Sequence, residues 1–422
     1  MALEDYKADM LRCTRCSYCK WIPFDQMKSL RFAKGCPSVE YNRFQPYSAG
    51  GRLAAALSVM EGRSECTERF VDIAYNCLLC GNCDVSCKVC RYNMEPLKAM
   101  QELRFKLAED GKGLPQHTNV IEGLRKGNNM MRQPAAGRGG WAAGLEVKNL
   151  GGKKTEVVFH AGCKLSYDKS LWPLAGTAVN ILNKTGIDYG IMGEAETCCG
   201  GRAYQMGYHD EFRKCAERNI KTWESKGVKT VITSCADCYH TFKHLYPEAG
   251  SGFEVLHMVE FVDRSIKEGK LKLTKPIAMK VTYHDPCHLG RQGEPYVPWN
   301  GKEQKIRGQM VVYPGKPRYN GAWGIYQPPR DILSSIPGLE LVEMERIKEY
   351  AWCCGAGGGV IDAYPDFAAW TAGERIEEAR ATGAEAIVSA CPWCESSFLN
   401  AVKTNGTPMK VYDILELVEK AI

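Results

Sequence analysis

Short apolar runs alternate with longer amphipathic stretches from about residue 155 to the end of the chain. The apolar runs lie at 157–159, 231–233, 281–283 and 387–389. Short continuous apolar runs are typical of strands buried on both faces of a parallel sheet. Amphipathic stretches such as 363–381 would supply the crossover helices between them. The pattern predicts an α/β fold built from βαβ units with parallel strands.

The first part of the chain follows a different pattern. Residues 1–110 hold helix-like stretches, such as 51–61 and 95–109, among groups of cysteines. Residues 111–153 lack apolar periodicity and are rich in Gly, Asn, Arg and Pro. Such a composition predicts a linker or a surface loop.

The α/β region contains an internal repeat. Four features recur in the same order: a strand before Cys163 or Cys287, a Cys-Cys-Gly turn, a Cys-x2-Cys pair and an amphipathic stretch. Four matches in one order indicate a duplication. We expect a first copy at 154–270 and a second at 271–422, with a Pro/Gly/Tyr-rich insertion at about 291–330. Such insertions are usually surface loops, and a loop that docks a partner or covers a substrate is the second interpretation.

Composition and charge exclude several classes of function. The chain has 422 residues, a formal net charge of +6 and intermixed acids and bases, without an arginine-rich arm. Nucleic-acid binding is therefore not expected. No apolar run approaches the roughly 18 residues of a membrane span, and no secretory leader is evident. We expect a cytoplasmic protein, or one held at a membrane only through a partner.

Eight cysteines of the first region have the spacing of iron–sulfur ligands. In two-cluster ferredoxins a Cys-x2-Cys-x2-Cys run supplies three thiolates to one [4Fe–4S] cubane, and the other motif supplies the fourth. Cluster A is therefore expected to bind Cys13, Cys16, Cys19 and Cys87. Cluster B is expected to bind Cys77, Cys80, Cys83 and Cys36. Residues 1–110 thus read as a helical, ferredoxin-like domain with two cubanes.

Two alternatives remain open in this domain. Pro23 stands where the first run would place its fourth cysteine, so Cys36 must serve after a longer loop, and Cys90 competes with Cys87 as the last ligand. A structural zinc site is the alternative to a cubane, although zinc sites normally pair two Cys-x2-Cys knuckles. A disulfide framework is disfavoured because the cysteines cluster at gaps of two and three residues.

The repeats carry two sets of five cysteines. The first set is Cys163, Cys198, Cys199, Cys235 and Cys238; the second is Cys287, Cys353, Cys354, Cys391 and Cys394. Five thiolates exceed what a cubane or a zinc ion requires, which favours an iron–sulfur centre opened beyond the cubane. Gly200 and Gly355 follow the adjacent cysteine pairs and permit a turn with positive φ. Zinc with one bystander thiol is the alternative.

This doubled pattern behind a ferredoxin-like module resembles the CCG-domain subunits of heterodisulfide reductases, in particular the D-type subunit. The resemblance covers nearly the whole chain. It implies that each five-cysteine set binds a noncubane [4Fe–4S] cluster, and that the pair cleaves the disulfide of coenzyme M and coenzyme B. The insertion after Arg291 and the altered first motif depart from methanogen subunits. Segments 13–24 and 80–90 resemble class II benzoyl-CoA reductase complexes most closely.

We therefore expect an iron–sulfur electron-transfer oxidoreductase subunit with two cubane and two noncubane [4Fe–4S] clusters. Its partner would be a flavin-containing or ferredoxin-type redox subunit. The noncubane clusters would reduce a small disulfide or relay electrons to a partner such as benzoyl-CoA reductase. The alternatives are the iron–sulfur subunit of a flavin-dependent 2-hydroxy acid or glycerol-3-phosphate dehydrogenase, and a structural zinc-binding scaffold.

Three histidines near the ligand cysteines have expected roles. His288 follows Cys287 directly and is expected to donate a proton near the second noncubane cluster. His160 and His284 each stand three residues before a ligand cysteine. We interpret this second pair as strand-end histidines that bond to the backbone.

Overall fold

The structure is a computed structural model that describes residues 2–90, 94–151, 153–295, 297, 300–315, 317 and 319–422, without the side chains at 90, 303, 309, 310 and 312. Its N-terminal part is helical, as predicted. The helices are α1 (Lys7–Arg12), α2 (Pro37–Asn42), α3 (Ala49–Met60), α4 (Glu68–Tyr75), α5 (Asn82–Cys90) and α6 (Pro96–Glu109). The hydroxyls of Ser48 and Thr67 cap α3 and α4 by accepting backbone N–H groups, which fixes where these helices begin.

The stretch 111–153 differs from the expected linker or surface loop. Helix α7 (Pro115–Gly127) occupies its first part, and Ile121, Leu124 and Trp141 are buried in the core that surrounds both sheets. Asn149 forms a parallel bridge with Ile191 beside the first sheet. Sequence periodicity missed this because the buried side chains are spread over irregular backbone as well as one helix.

Nine strands are described in the rest of the chain: β1 (Val157–His160), β2 (Thr230–Thr233), β3 (Glu254–His257), β4 (Met279–Tyr283), β5 (Lys302–Ile306), β6 (Gln309–Tyr313), β7 (Leu339–Leu341), β8 (Ala386–Ser389) and β9 (Lys410–Asp413). A first parallel sheet has the order β1-β2-β3, and a second has the order β7-β4-β8-β9. The predicted α/β fold with parallel strands is confirmed.

Helices surround these sheets. The first copy contains α8 (Gly162–Tyr167), α9 (Trp172–Thr185), α10 (Gly201–Gln205), α11 (His209–Lys226), α12 (Ala236–His240) and α13 (Met258–Lys267). The second contains α14 (Gln327–Ser335), α15 (Val360–Ala363), α16 (Pro365–Ala381), α17 (Pro392–Asn405) and α18 (Ile414–Ala421). The last helix of each copy begins with a capping box, at His257 and at Asp413. The internal repeat is therefore also a structural repeat.

The insertion at 291–330 contains an antiparallel hairpin of β5 and β6. It exposes large apolar side chains, with Tyr313 and Trp323 about four-fifths exposed (81% and 77%). The Tyr319 carbonyl accepts a hydrogen bond of 2.8 Å from Lys88 on α5. The insertion thus contacts the N-terminal domain while its hairpin remains at the surface.

Arg104 on α6 joins the three parts of the molecule. Its buried guanidinium donates to the carbonyl of Cys77 (2.6 Å) in the N-terminal domain and of Gln205 (2.9 Å) in the first copy. A third bond of 2.7 Å reaches the Gly358 carbonyl in the second copy. Five donors in a rigid fork allow one arginine to serve several acceptors. The cysteine-bearing loops are therefore held in one connected body.

Candidate iron–sulfur centres

The four cysteines expected at cluster A line one cavity. Cys13, Cys16, Cys19 and Cys87 surround a space of about 460 Å³, mouth included. Left-handed backbone at Arg15 (φ 56°) and Ser17 (φ 70°) curls the first run so that its thiols converge with Cys87 from α5. Cys16 is exposed, so this cavity opens at the surface.

The four cysteines expected at cluster B line a second cavity. Cys36, Cys77, Cys80 and Cys83 surround about 370 Å³, mouth included. Cys36 directly precedes α2 and reaches the cavity despite its distance in sequence from the other three. Burial raises the pKa of the Cys36 thiol to about 12. A thiol so disfavoured as an anion needs a cation beside it to become a ligand.

The structure describes the side chain of only one of the two cysteines that compete for the last place at cluster A. Cys87 lines the cavity of cluster A, and burial raises its pKa to about 12. The side chain of Cys90 lies outside the described part of the chain. Cys87 therefore stays the predicted fourth ligand.

The first five-cysteine set lies at the carboxyl ends of β1 and β2. Cys163 stands in the first turn of α8, and Cys235 immediately precedes α12. The sulfurs of Cys199 and Cys238 are 3.6 Å apart, and the side chain of Cys163 contacts that of Cys198. The structure therefore brings all five thiols of the set together, since Cys235 also contacts Cys238.

The second set repeats this arrangement at β4 and β8. Cys391 immediately precedes α17, and Cys394 lies in its first turn. Cys353 contacts both Cys287 and Cys354, and Cys354 contacts Cys394. Nine of the ten thiols in the two sets are buried, and Cys287 is half-buried.

Glycines make the Cys-Cys turns possible. Gly200 and Gly355 have φ of +83° and +91°, as the sequence predicts for these positions. A Cβ at Gly355 would lie 2.3 Å from the Ala368 carbonyl oxygen. A Cβ at Gly200 would lie 2.8 Å from the Cβ of Cys215. Neither position has room for a larger residue.

The two sets and cluster B form a continuous series of sulfur contacts. Cys235 of the first set contacts Cys391 of the second, and Cys353 of the second contacts Cys80 of cluster B. The cavities of clusters A and B share Ala49 in their walls. The cysteine groups therefore follow one another in the order cluster A, cluster B, second set, first set.

Crowding of the buried thiols shifts their pKa values in opposite directions. Contacts with Cys198 and then Cys238 lower the pKa of Cys199 to about 5. Contact with Cys199 raises the pKa of Cys238 well above its ordinary value. Some thiols of a set thus keep protons that others release, and only cationic metal among them would leave all as thiolates. Buried, free, all-sulfur donor sets fit iron–sulfur chemistry.

An arginine of the stretch 111–153 contacts the first set. Nη1 of Arg138 lies 3.5 Å from Sγ of Cys163, and its Nη2 pairs with Glu196 at 2.9 Å. Glu196 in turn accepts the backbone N–H groups of Ala161 and Gly162, each at 3.0 Å. This network fixes the loop after β1 and places positive charge beside the thiol of Cys163.

In the second set a histidine lies beside the thiols. His284 accepts a hydrogen bond of 3.1 Å from Arg375 and contacts Cys354. Its ring nitrogen lies within 4.8 Å of the sulfurs of Cys354 and Cys394. The ring of His284 therefore bonds to side chains. The expectation that it bonds to the backbone was wrong. Neither ring nitrogen of His160 has a hydrogen-bond partner among the described residues, which corrects the same expectation there.

His288 lies between the two copies. Its Nδ1 bonds to the carboxylate of Asp237, which sits inside the Cys-x2-Cys pair of the first set. Burial alone would lower the pKa of His288, but the Asp237 carboxylate more than offsets it and raises the pKa to about 9. The imidazole therefore bridges the two sets, which the position next to Cys287 did not indicate.

Sequence reasoning missed several polar residues at these centres. Asp237 directly precedes Cys238 and Arg202 stands three residues after Cys199, so both could have been considered for their closeness to the cysteines. Arg138 and Arg375 carry no such signal, because the fold brings them in from 25 residues before Cys163 and 21 residues after Cys354. Their roles appear only in three dimensions.

Family models match both parts of the chain. A cysteine-rich (CCG) domain matches residues 157–243 and 315–398. A 4Fe-4S dicluster domain matches residues 9–90. With the geometry above, these matches define the class: an oxidoreductase component that binds iron–sulfur clusters. The resemblance expected from the cysteine pattern is thereby confirmed.

Relatives identify the family within this class. The chain is 31% identical over 421 residues to the D subunit of the dihydromethanophenazine:CoB–CoM heterodisulfide reductase of Methanosarcina mazei, covering 97% of this chain and 93% of the relative. It therefore belongs to the family of heterodisulfide reductase D subunits. It is also 29% identical to the EtfAB:quinone oxidoreductase of Syntrophomonas wolfei, over 81% of this chain and 46% of that protein.

Two further likenesses extend the picture. The B subunit of the fumarate reductase (CoM/CoB) of Methanothermobacter marburgensis is 30% identical, over 82% of this chain and 61% of that protein. A hypothetical protein from Helicobacter pylori has the same fold, with a TM-score of 0.57 at 11% identity, over 89% of this chain and 67% of that one. Among the residues that the structure describes, no helix has both the length and the apolar composition needed to cross a bilayer.

Proposed function

We propose that this chain carries two cubane [4Fe–4S] clusters in its N-terminal domain and two noncubane [4Fe–4S] clusters in its CCG domains. The convergence of each cysteine group in the structure supports the count. Cys13, Cys16, Cys19 and Cys87 would bind the first cubane; Cys36, Cys77, Cys80 and Cys83 would bind the second. The five-cysteine sets of the two copies would each bind one noncubane cluster.

The order of the cysteine groups supports a path for electrons between the surface at cluster A and the two buried five-cysteine sets. Among the described side chains of these groups, only that of Cys16, at cluster A, is exposed. The first five-cysteine set lies at the other end of the series of contacts, beyond the second set. We propose that electrons are exchanged with a partner at cluster A and with a substrate or acceptor at the two five-cysteine sets.

The reaction that fits this arrangement best is reduction of a small disulfide between the two sets. The contact of Cys235 with Cys391 carries this proposal, because it brings both sets to one place where two sulfur atoms can be served together. One disulfide takes two electrons and two protons and yields two thiols. The clusters would supply the electrons singly. The role of His288 as a proton donor stays a prediction.

The test is a reduction of a disulfide by the loaded protein alone. The anaerobically purified chain is reduced with dithionite, freed of excess reductant, and mixed with a disulfide. We expect two thiols released per pair of electrons that the clusters lose, followed by visible absorption. A chain that keeps its electrons and releases no thiol would refute disulfide reduction.

Electron relay to a partner enzyme is the second candidate function. The kinship with the EtfAB:quinone oxidoreductase, whose own length is about twice the matched part, favours it. Class II benzoyl-CoA reductase complexes and flavin-dependent dehydrogenases of 2-hydroxy acids or glycerol 3-phosphate would be such partners. Co-purification of the chain from its native cell with a flavin-bearing subunit, together with no thiol release, would decide for the relay.

The rim of cluster A is suited to an acidic redox partner, flavin-containing or of ferredoxin type. Arg12 and Arg15 are exposed on either side of Cys13 and form no ion pair within the described residues. Leu11 beside them is 63% exposed. Cations around an apolar contact steer an anionic partner and make association depend on salt. We propose this rim as the entry point for electrons.

A further inference from the structure

The ring of His284 lies between a buried arginine and two thiols of the second set. Nδ1 of His284 accepts a hydrogen bond of 3.1 Å from Nε of Arg375. A ring nitrogen of His284 lies within 4.8 Å of the sulfurs of Cys354 and Cys394, and the side chain contacts Cys354. His284 is 1% exposed and Arg375 is fully buried. Bulk water is therefore kept away from these contacts.

Arg375 fixes which nitrogen of the ring carries the proton. An arginine side chain only donates hydrogen bonds, so Nδ1 of His284 must accept with its lone pair. The one proton of the neutral imidazole then stands on Nε2, the nitrogen left to face the thiols. A ring nitrogen that carries a proton has no lone pair for a metal. Nε2 of His284 can therefore donate to a sulfur but cannot ligate iron.

Neighbouring side chains hold the arginine and the imidazole in place. Nη1 of Arg375 pairs with Glu378 at 2.7 Å, and Glu378 also pairs with Arg346 at 2.9 Å. The ring of Phe398 packs edge-on against His284, with the ring centroids 4.8 Å apart at 87°. Partners of this kind orient a group beside a metal site and fix its tautomer. The N–H of His284 is thus positioned before any cluster binds.

The first copy has the same histidine with the opposite tautomer. The ring of His160 packs on Phe242 in the same way, with centroids 4.8 Å apart at 87°. Its Nδ1 faces a carboxylate instead of a guanidinium, with Oε2 of Glu196 at 3.7 Å. A carboxylate favours the tautomer with the proton on Nδ1, which leaves Nε2 of His160 without one. Of these two histidines, only His284 therefore presents an Nε2–H.

We propose that His284 donates a hydrogen bond from Nε2 to the thiolate of Cys354 and thereby raises the reduction potential of the second noncubane cluster. Hydrogen bonds to the sulfurs are one of the factors that set the potential of a cluster, because they stabilise the more negative, reduced form. Arg375 is the positioning residue for this donor. The inference rests on the proposed function, in which this set binds a cluster, and adds the residue that tunes it.

A raised potential at the second set favours the entry of electrons from cluster B. Cys353 of the second set contacts Cys80 of cluster B, so electrons enter the CCG domains at this point. The step moves one electron from the reduced cluster B to the oxidised second cluster. His284 keeps its proton throughout, and no other reactant is consumed.

The test is a redox titration of both noncubane clusters in the anaerobic, cluster-loaded chain, followed by electron paramagnetic resonance. His284→Phe removes the donor and keeps an aromatic ring, whereas His284→Gln keeps an N–H. His160→Phe is the matched control in the first copy. The signal that disappears in Cys354→Ser belongs to the second cluster. Iron per chain is measured on every sample.

We expect His284→Phe to lower the ratio of reduced to oxidised second cluster about tenfold at a fixed potential, which is a shift of about 59 mV for one electron. His284→Gln should recover part of this loss. His160→Phe should leave the potentials of both clusters unchanged. An unchanged potential in His284→Phe, or an equal shift of the first cluster in His160→Phe, overturns the proposal.

A measurement on the native chain covers the case in which His284→Phe loses its cluster. Histidine labelled with a nitrogen isotope is incorporated, and the reduced second cluster is studied by pulsed electron paramagnetic resonance. We expect a weak coupling to a histidine nitrogen, which passes through the hydrogen bond. The strong coupling of a directly bound imidazole, or the absence of any histidine coupling, overturns the proposal.

The same samples separate this inference from the proposed function. If the second set binds iron but its potential does not depend on His284, the clusters stand and this inference fails. If His284 shifts the potential but the reduced chain releases no thiol from a disulfide, the tuning stands and disulfide reduction fails. If the second set binds no iron, both fail together, because no cluster is there to be tuned.

Discussion

Replacing Gly355 by alanine should remove one iron–sulfur centre and leave the others. Gly355 has a φ of +91°, and an added Cβ would lie 2.3 Å from the carbonyl oxygen of Ala368. Left-handed backbone costs a residue with a Cβ roughly 1 kcal/mol. Overpacking against rigid backbone adds about 1–3 kcal/mol. The turn that carries Cys353 and Cys354 must then move, and their thiols leave the second set.

Gly383→Ala provides the matched control for that change. Gly383 also has a positive φ of +73°, but its added Cβ would meet nothing within 4 Å. Both variants therefore meet the same backbone strain, and only Gly355→Ala adds a collision beside ligand cysteines.

The assay is iron and sulfide per chain, with denaturant unfolding of the same samples. We expect Gly383→Ala to keep its iron and to lose about 1 kcal/mol of stability. Gly355→Ala should lose about four irons, one cluster's worth, and more stability than the control. Equal iron and equal stability in the two variants would refute the account of this turn.

Three further changes test other parts of the molecule. Cys87→Ser should abolish the signal of cluster A in electron paramagnetic resonance, whereas Cys90→Ser should leave it; the opposite pattern would make Cys90 the ligand. Burial lowers the pKa of His117 to about 3, so the folded chain holds it neutral while the unfolded chain protonates it below about pH 6.5. The free energy of unfolding should therefore fall as the pH falls from about 6.5 towards 3, by about 2 kcal/mol at pH 5. Denaturant unfolding should show that His117→Gln removes this loss. A variant with the same pH profile as the native chain would contradict this role of His117. Arg15→Glu should slow electron transfer with an acidic ferredoxin and weaken its salt dependence, and Arg213→Glu, at another exposed site, should not; equal effects would dismiss the proposed entry point.

The sequence predicted the positions of the cysteines well for a physical reason. Parallel strands end at the same edge of a sheet, so cysteines placed just after buried strands converge. Cys163, Cys235, Cys287 and Cys391 follow β1, β2, β4 and β8 in this way. The Cys-Cys turns were also predictable, because a glycine after each pair is a local signal for positive φ.

Long-range contacts could not be predicted in the same way. Arg138 comes from a stretch without periodicity, yet it reaches Cys163 because that stretch packs into the core. The ring of His284 bonds to Arg375 on α16, which no local pattern announces. The meeting of Cys235 with Cys391 depends on how the two copies pack against each other, and sequence spacing carries no information about that.

The insertion at 291–330 was predicted correctly in its exposure but not in its contacts. Its Pro, Gly and Tyr content indicated a surface loop, and the hairpin of β5 and β6 does lie at the surface. Its bond to Lys88 on α5 was not predictable, because it joins residues 231 positions apart. Composition therefore predicted that the segment is exposed, but not that it contacts the N-terminal domain.

The most direct test of the four-cluster account is iron and acid-labile sulfide in the anaerobically purified chain, followed by low-temperature electron paramagnetic resonance through a redox titration. The account predicts about sixteen irons per chain, four clusters of four, with signals beyond those of ordinary cubanes. About eight irons, with zinc in place of the rest, would contradict it and would make the two five-cysteine sets structural.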